Sequence, residues 1–99
     1  MEALQTVIPI LSTAGHLSVT TASVGTNWTT LGSNPCKQLD VANLTGTTLE
    51  FRQGRSGVGF QVPTGMVYTF FALTNTDNLE VRRVDTSNTQ VSFTARWSN

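Results

Sequence analysis

The chain has 99 residues, the size of one domain, and its six basic and six acidic side chains cancel to a formal charge of zero. That balance argues against a nucleic-acid binder, which needs excess Lys and Arg to displace counterions, and disfavours an anionic membrane surface. Charged residues are only 12% of the chain, about half the usual share; the polarity comes from Thr, Ser and Asn, and little charge repulsion opposes self-association.

The first stretch is apolar at Leu4, Val7, Ile8, Ile10 and Leu11. Pro9 has no N–H to give to a ladder, which forbids a central strand position. Residues 1–15 are therefore expected to be an N-terminal arm lying on a neighbouring subunit or an edge strand, and residues 16–99 one β-sandwich domain. The apolar run 7–11 is too short for a signal-peptide core and lacks a basic leader. No run of about 18 apolar residues is present to span a membrane, so the expectation is synthesis in the cytoplasm.

From Leu17 onward, alternation with period two recurs and is broken by Gly, Asn, Asp and Pro roughly every 8–12 residues, the pattern of a sandwich or barrel. Residues 17–24 alternate well, and 28–31 form one short strand. Residues 36–43 and 47–53 read as a hairpin about Thr45-Gly46, with Leu39 and Val41 on one face of the first arm and Leu49 and Phe51 on one face of the second. Gly54 to Gly57 opens the chain before a strand at 58–62 with Val58, Phe60 and Val62 on one side, and the Gly54–Gly59 stretch reads as a flexible hairpin tip or a glycine-rich bulge. After the Pro63-Thr-Gly65 turn, residues 66–73 form a near-continuous apolar strand, which predicts two covered faces. Residues 79–84 and 90–97 read as a second hairpin about 85–89, with Val91, Phe93, Ala95 and Trp97 inward and Arg96 outward. The fold class is all-β, an antiparallel β-sandwich of jelly-roll-like type with seven or eight strands.

Little here carries chemistry. His16 is the lone histidine and Cys36 the lone cysteine, so one chain lacks the parts of a His-based metal site or a catalytic triad. His16 reads as a solvated loop residue and Cys36 as a small buried hydrophobe. Gly54-Arg-Ser-Gly57-Val-Gly59 lacks the Lys-Ser/Thr ending and the following helix of a phosphate loop. The triplets Asn27-Trp-Thr29 and Asn43-Leu-Thr45 match glycosylation acceptors but are discounted as chance in an Asn- and Thr-rich chain. No catalytic residue, metal or cofactor is expected. Arg82 and Arg83 point to opposite faces, so one of them meets the apolar side and needs a carboxylate, from Asp85 or from a neighbouring subunit. Trp28, between Asn27 and two threonines, is the aromatic least suited to the core and a candidate interface or sugar-stacking anchor.

The segments Cys36-Lys-Gln-Leu-Asp-Val-Ala-Asn43, Thr45-Gly46 and Leu49-Glu50-Phe51-Arg52, followed by Leu79-Glu-Val-Arg-Arg-Val-Asp85 and the closing Arg96-Trp97, resemble a pattern in small virion structural proteins of tailed double-stranded DNA bacteriophages. The resemblance covers residues 36–97. It implies a β-sandwich capsid decoration (cement) protein, or a small tail or head-fibre component, that forms a homo-oligomer with the trimer favoured. Its implied partners are the major capsid protein or other virion proteins, and its place is the virion. Leu4, Val7, Ile8, Ile10, Leu11, Trp28 and Arg83 are the interface candidates. The rival expectation is a carbohydrate-binding or host-recognition module built on Trp28.

Overall fold

The computed structural model describes residues 14–54 and 57–99. They hold eight strands: β1 (Ala14–Thr20), β2 (Thr29–Thr30), β3 (Gln38–Asn43), β4 (Leu49–Gln53), β5 (Phe60–Val62), β6 (Met66–Phe70), β7 (Leu79–Arg83) and β8 (Ser92–Ser98). A single 3₁₀ turn at Thr76–Asn78 precedes β7, capped by the Asn75 side chain. The strands form two four-stranded antiparallel sheets, in the orders β1-β8-β3-β6 and β2-β7-β4-β5. Early and late strands interleave in both sheets, which is the jelly roll, a double Greek key closed into a sandwich. The sequence expectation of an all-β, jelly-roll-like sandwich holds.

Alternation builds the core. Leu39 and Val41 of β3, Leu49 and Phe51 of β4, Leu79 and Val81 of β7, and Phe93 and Ala95 of β8 all point between the sheets and are buried. Cys36 and Leu31, at the ends of the links flanking β3 and β2, join the same cluster. Trp97 packs against its rim and lies over Gly15, where a Cβ would strike the indole.

Two links expected to be hairpins are not. β3 and β4 lie in opposite sheets, as do β7 and β8. Among the described strands, only the consecutive pair β4 and β5 are direct neighbours, with Leu49 opposite Val62 and Phe51 opposite Phe60, so the glycine-rich 54–59 link is the hairpin tip. A chain that arches across the core keeps its apolar side chains inward just as a hairpin does, and alternation cannot separate the two. What decides is the corner.

After β3 the corner is organised by Asn43, which is fully buried. Its amide nitrogen donates to the carbonyls of Thr47 (2.9 Å) and Val62 (2.8 Å), and its Oδ1 accepts from the Thr45 N–H (3.1 Å) and hydroxyl (2.7 Å). One side chain thus ties the arch between sheets to the end of β5. The corner after β7 is pinned differently: Gly25 presses on the Thr86 and Ser87 carbonyls, where no Cβ fits, and its N–H donates to Asn88 Oδ1 at 2.8 Å.

Other expectations shift. Residues 66–73 were expected between two covered faces, but β6 is the edge of its sheet and Met66, Val67, Tyr68 and Phe71 are exposed. On β5 only Val62 is buried, while Phe60 and, just before the strand, Val58 are exposed. The first described strand begins at Ala14, inside the segment expected as an arm or an edge strand, and pairs Ala14 with Ser98 at the edge of its sheet. The arm residues Leu4, Val7, Ile8, Ile10 and Leu11 lie outside the described residues.

Candidate assembly surface

β5 has three residues and β6 five, and each closes its sheet on the same margin of the sandwich. Pairing sets which way β6 faces. Asn43, Val41 and Leu39 stand opposite Met66, Tyr68 and Phe70, which places those three on the inner face and Val67 and Thr69 on the outer one. β5 is too short to cover them, so the margin is an open apolar seam. Val58 is 95% exposed, Phe71 70% and Val67 67%. Scattered apolar residues are ordinary on a surface, but a contiguous patch marks an association site.

The seam is backed by a chain of rings reaching from the core. Phe93 meets Phe51 edge-on with centroids 5.7 Å apart, Phe51 lies 5.2 Å from Phe70, Phe70 4.8 Å from Tyr68, and Tyr68 4.5 Å from Phe60. Tilted and edge-on pairs of this kind each add about 0.5–1.5 kcal/mol beyond their burial, so the wall of the seam is held in one arrangement. A cleft of about 210 Å³ opens there, lined by Phe51, Val58, Phe60, Tyr68, Phe70 and Leu79 among others.

The outer face of the other sheet is chemically the reverse. Glu50 stands opposite Arg82 and Arg52 opposite Glu80. The ion pairs follow the same grid, with Arg52 Nε 2.7 Å from Glu80 Oε1 and Arg82 Nε 3.2 Å from Glu50 Oε1. Glu80 is buried, and Thr30 also donates to it, at 3.4 Å. Both guanidinium groups lie against the Trp28 ring, 4.2 Å and 4.4 Å from its centroid. Cation–π contact of this sort is worth about 0.5–2 kcal/mol. Trp28 therefore binds the chain's own cations on the ring surface that a sugar would use for stacking.

No family model matches the chain, and no curated protein matches it. Among solved structures, a de novo designed double-stranded β-helix is similar over 88% of this chain and 99% of its own, at 18% identity and a TM-score of 0.46. A structure described as Bacillus endospore appendages, a novel family of disulfide-linked pili, is similar over 89% of this chain and 85% of its own, at 14% identity and a TM-score of 0.48.

Of the interface candidates described, neither lies at the seam. Arg83 is the arginine that meets the apolar side, 13% exposed, and its carboxylate partner is the local one: Nε and Nη2 reach the two Asp85 oxygens at 2.9 Å and 2.7 Å, while Nη1 donates to the Thr89 carbonyl at 2.9 Å. That hydrogen bonding, with a further one from the Ser87 N–H, holds the Asp85 carboxyl below its ordinary range. His16 is exposed on β1 rather than in a loop, opposite Arg96. Cys36 is buried as expected, and burial pushes its thiol up. Asn43 is buried and fully engaged, so the second glycosylation triplet is closed to modification in the folded chain. The residues missed were Val58, Phe60, Met66, Val67, Tyr68 and Phe71. A signal for them existed: an apolar run on both faces of a strand fits either a central strand or an edge that awaits a partner, and the short, glycine-flanked β5 pointed to the edge.

Proposed function

We propose that this chain is a structural subunit that self-associates through the β5–β6 margin, and that it serves as a decoration protein of the virion type its sequence resembles. The observation that supports this most directly is the apolar β5–β6 margin, open at Val58 (95% exposed) and Phe71 (70%) and continued onto the outer face by Val67 (67%). A near-neutral chain with few charges has little electrostatic barrier to bringing such margins together. Burying three or four such side chains favours association by about 1.5–3 kcal/mol each before the costs of association. The partners on this reading are further copies of the chain, with the trimer favoured, and the major capsid protein or another virion component. The rival, a carbohydrate-binding module built on Trp28, has weaker support because Arg52 and Arg82 already occupy the ring. The test is the solution mass of the purified chain at micromolar concentration, by light scattering after size exclusion. A discrete oligomer is expected; a monomer across the whole accessible concentration range refutes self-association.

A further inference from the structure

Resting on that reading, we infer that the edge of β6, which has no further strand beside it among the described residues, receives the apolar segment 1–11 of a second copy as an added strand. Three features converge on this occupant. β6 presents apolar side chains on both sides, Met66 and Tyr68 inward and Val67 outward. The segment Val7-Ile-Pro-Ile-Leu11 is likewise apolar at every position, so as a strand it offers matching side chains to both sides at once. Pro9, excluded from a central strand, is compatible with an outermost one and stops a further strand from adding to it. Strand addition to an exposed sheet edge is an established mode of recognition, with main-chain hydrogen bonds for affinity and alternate side chains for fit.

The geometry favours a second copy over the chain's own seam. β1 and β6 are opposite edges of one four-stranded sheet, roughly 14 Å apart at about 4.8 Å per strand. To reach its own β6, the segment would have to reverse direction after leaving β1. Residues 1–13 contain no Gly, Asn or Asp to take up a positive φ, and Pro9 and Ser12 are their only turn-favouring residues. Continued in an extended form, thirteen residues reach roughly 43 Å, well past the margin of their own domain.

The experiment is a mixing test on full-length chains. One variant carries Ile8→Asp and Ile10→Asp, leaving its β6 edge intact; the other carries Val67→Asp and Phe71→Asp, leaving its N-terminal segment intact. Val67 and Phe71 are exposed, and a cooperative melt for each variant confirms folding. Each variant alone should be monomeric at concentrations where the unsubstituted chain is an oligomer, a rise in Kd of about tenfold or more. Mixed together, the two should form a heterodimer and nothing larger, because only one junction can be made. A second measurement uses Ile8→Cys with Val67→Cys in one chain, which on oxidation should give chains linked to one another on a non-reducing gel. Single variants that stay oligomeric, a mixture that stays monomeric, or a disulfide closing within one chain overturn the inference while leaving self-association standing. An unsubstituted chain that is itself monomeric overturns the reading beneath it.

Discussion

Asn43→Ala tests the origin of the jelly-roll corner. The side chain is fully buried and makes four hydrogen bonds, of 2.9, 2.8, 3.1 and 2.7 Å, to the arch at 45–47 and the end of β5. At about 0.5–1.5 kcal/mol net per bond, with a larger penalty where a buried carbonyl is left without a donor, the loss comes to about 3–5 kcal/mol. A domain of this size has about 5–15 kcal/mol in total, so about a fifth of its margin or more rests on one amide. The assay is urea unfolding followed by tryptophan fluorescence, with Asn27→Ala as an exposed control expected within about 0.5 kcal/mol. Asn43→Asp keeps the acceptor but sets a charge against the Thr47 and Val62 carbonyls, so at neutral pH it should be worse than alanine and improve as the pH falls. A loss below about 1 kcal/mol for Asn43→Ala refutes the argument: water or a shifted loop would then satisfy the same groups.

Further expectations concern register, acid and the thiol. Phe93→Ala should cost about 3–5 kcal/mol and Arg96→Ala less than about 0.5 kcal/mol; the reverse order in denaturant midpoints would move the β8 register by one residue. Because the Asp85 carboxyl is held below its ordinary 3.8 by Arg83, its contribution to stability is present above that pH and is lost as the pH falls through the lower folded value. Asp85→Asn should flatten the acid limb of the stability curve, and an unchanged limb counts against the pair. The Cys36 thiol should react with a thiol reagent many times faster in denaturant than in buffer; equal rates would mean the site is open.

Which residues turn inward was largely legible in the sequence, because strand periodicity acts on each strand separately. Leu39, Val41, Leu49, Phe51, Val81, Phe93 and Ala95 follow from alternation alone. The opposed directions of Arg82 and Arg83, and the Arg83–Asp85 pair, follow from the same rule together with the need of a half-buried cation for a carboxylate. Pairing was not legible. The 44–48 and 84–91 links carry the Gly, Asn and Asp of hairpin turns, yet both arch between sheets, and only tertiary hydrogen bonds such as those of Asn43 distinguish the outcomes. The seam was misjudged because apolar character reports a preference for burial and not the molecule that supplies it. Trp28 stood out correctly as lying outside the core, but the residues that cover it, Arg52 and Arg82, come from strands distant in sequence.

The pairing of β1 with β8 joins Ala14 to Ser98, nearly the full described length of the chain, and β8 also separates β1 from β3. Translation at about 5–20 residues per second takes several seconds to deliver such a chain, and during that time β1 and β3 have no strand between them. Local hairpins cannot hold the molecule meanwhile, since among the described strands only β4 and β5 pair with their neighbour in sequence. The fold therefore completes late and through distant contacts, the regime of slow, topology-limited folding.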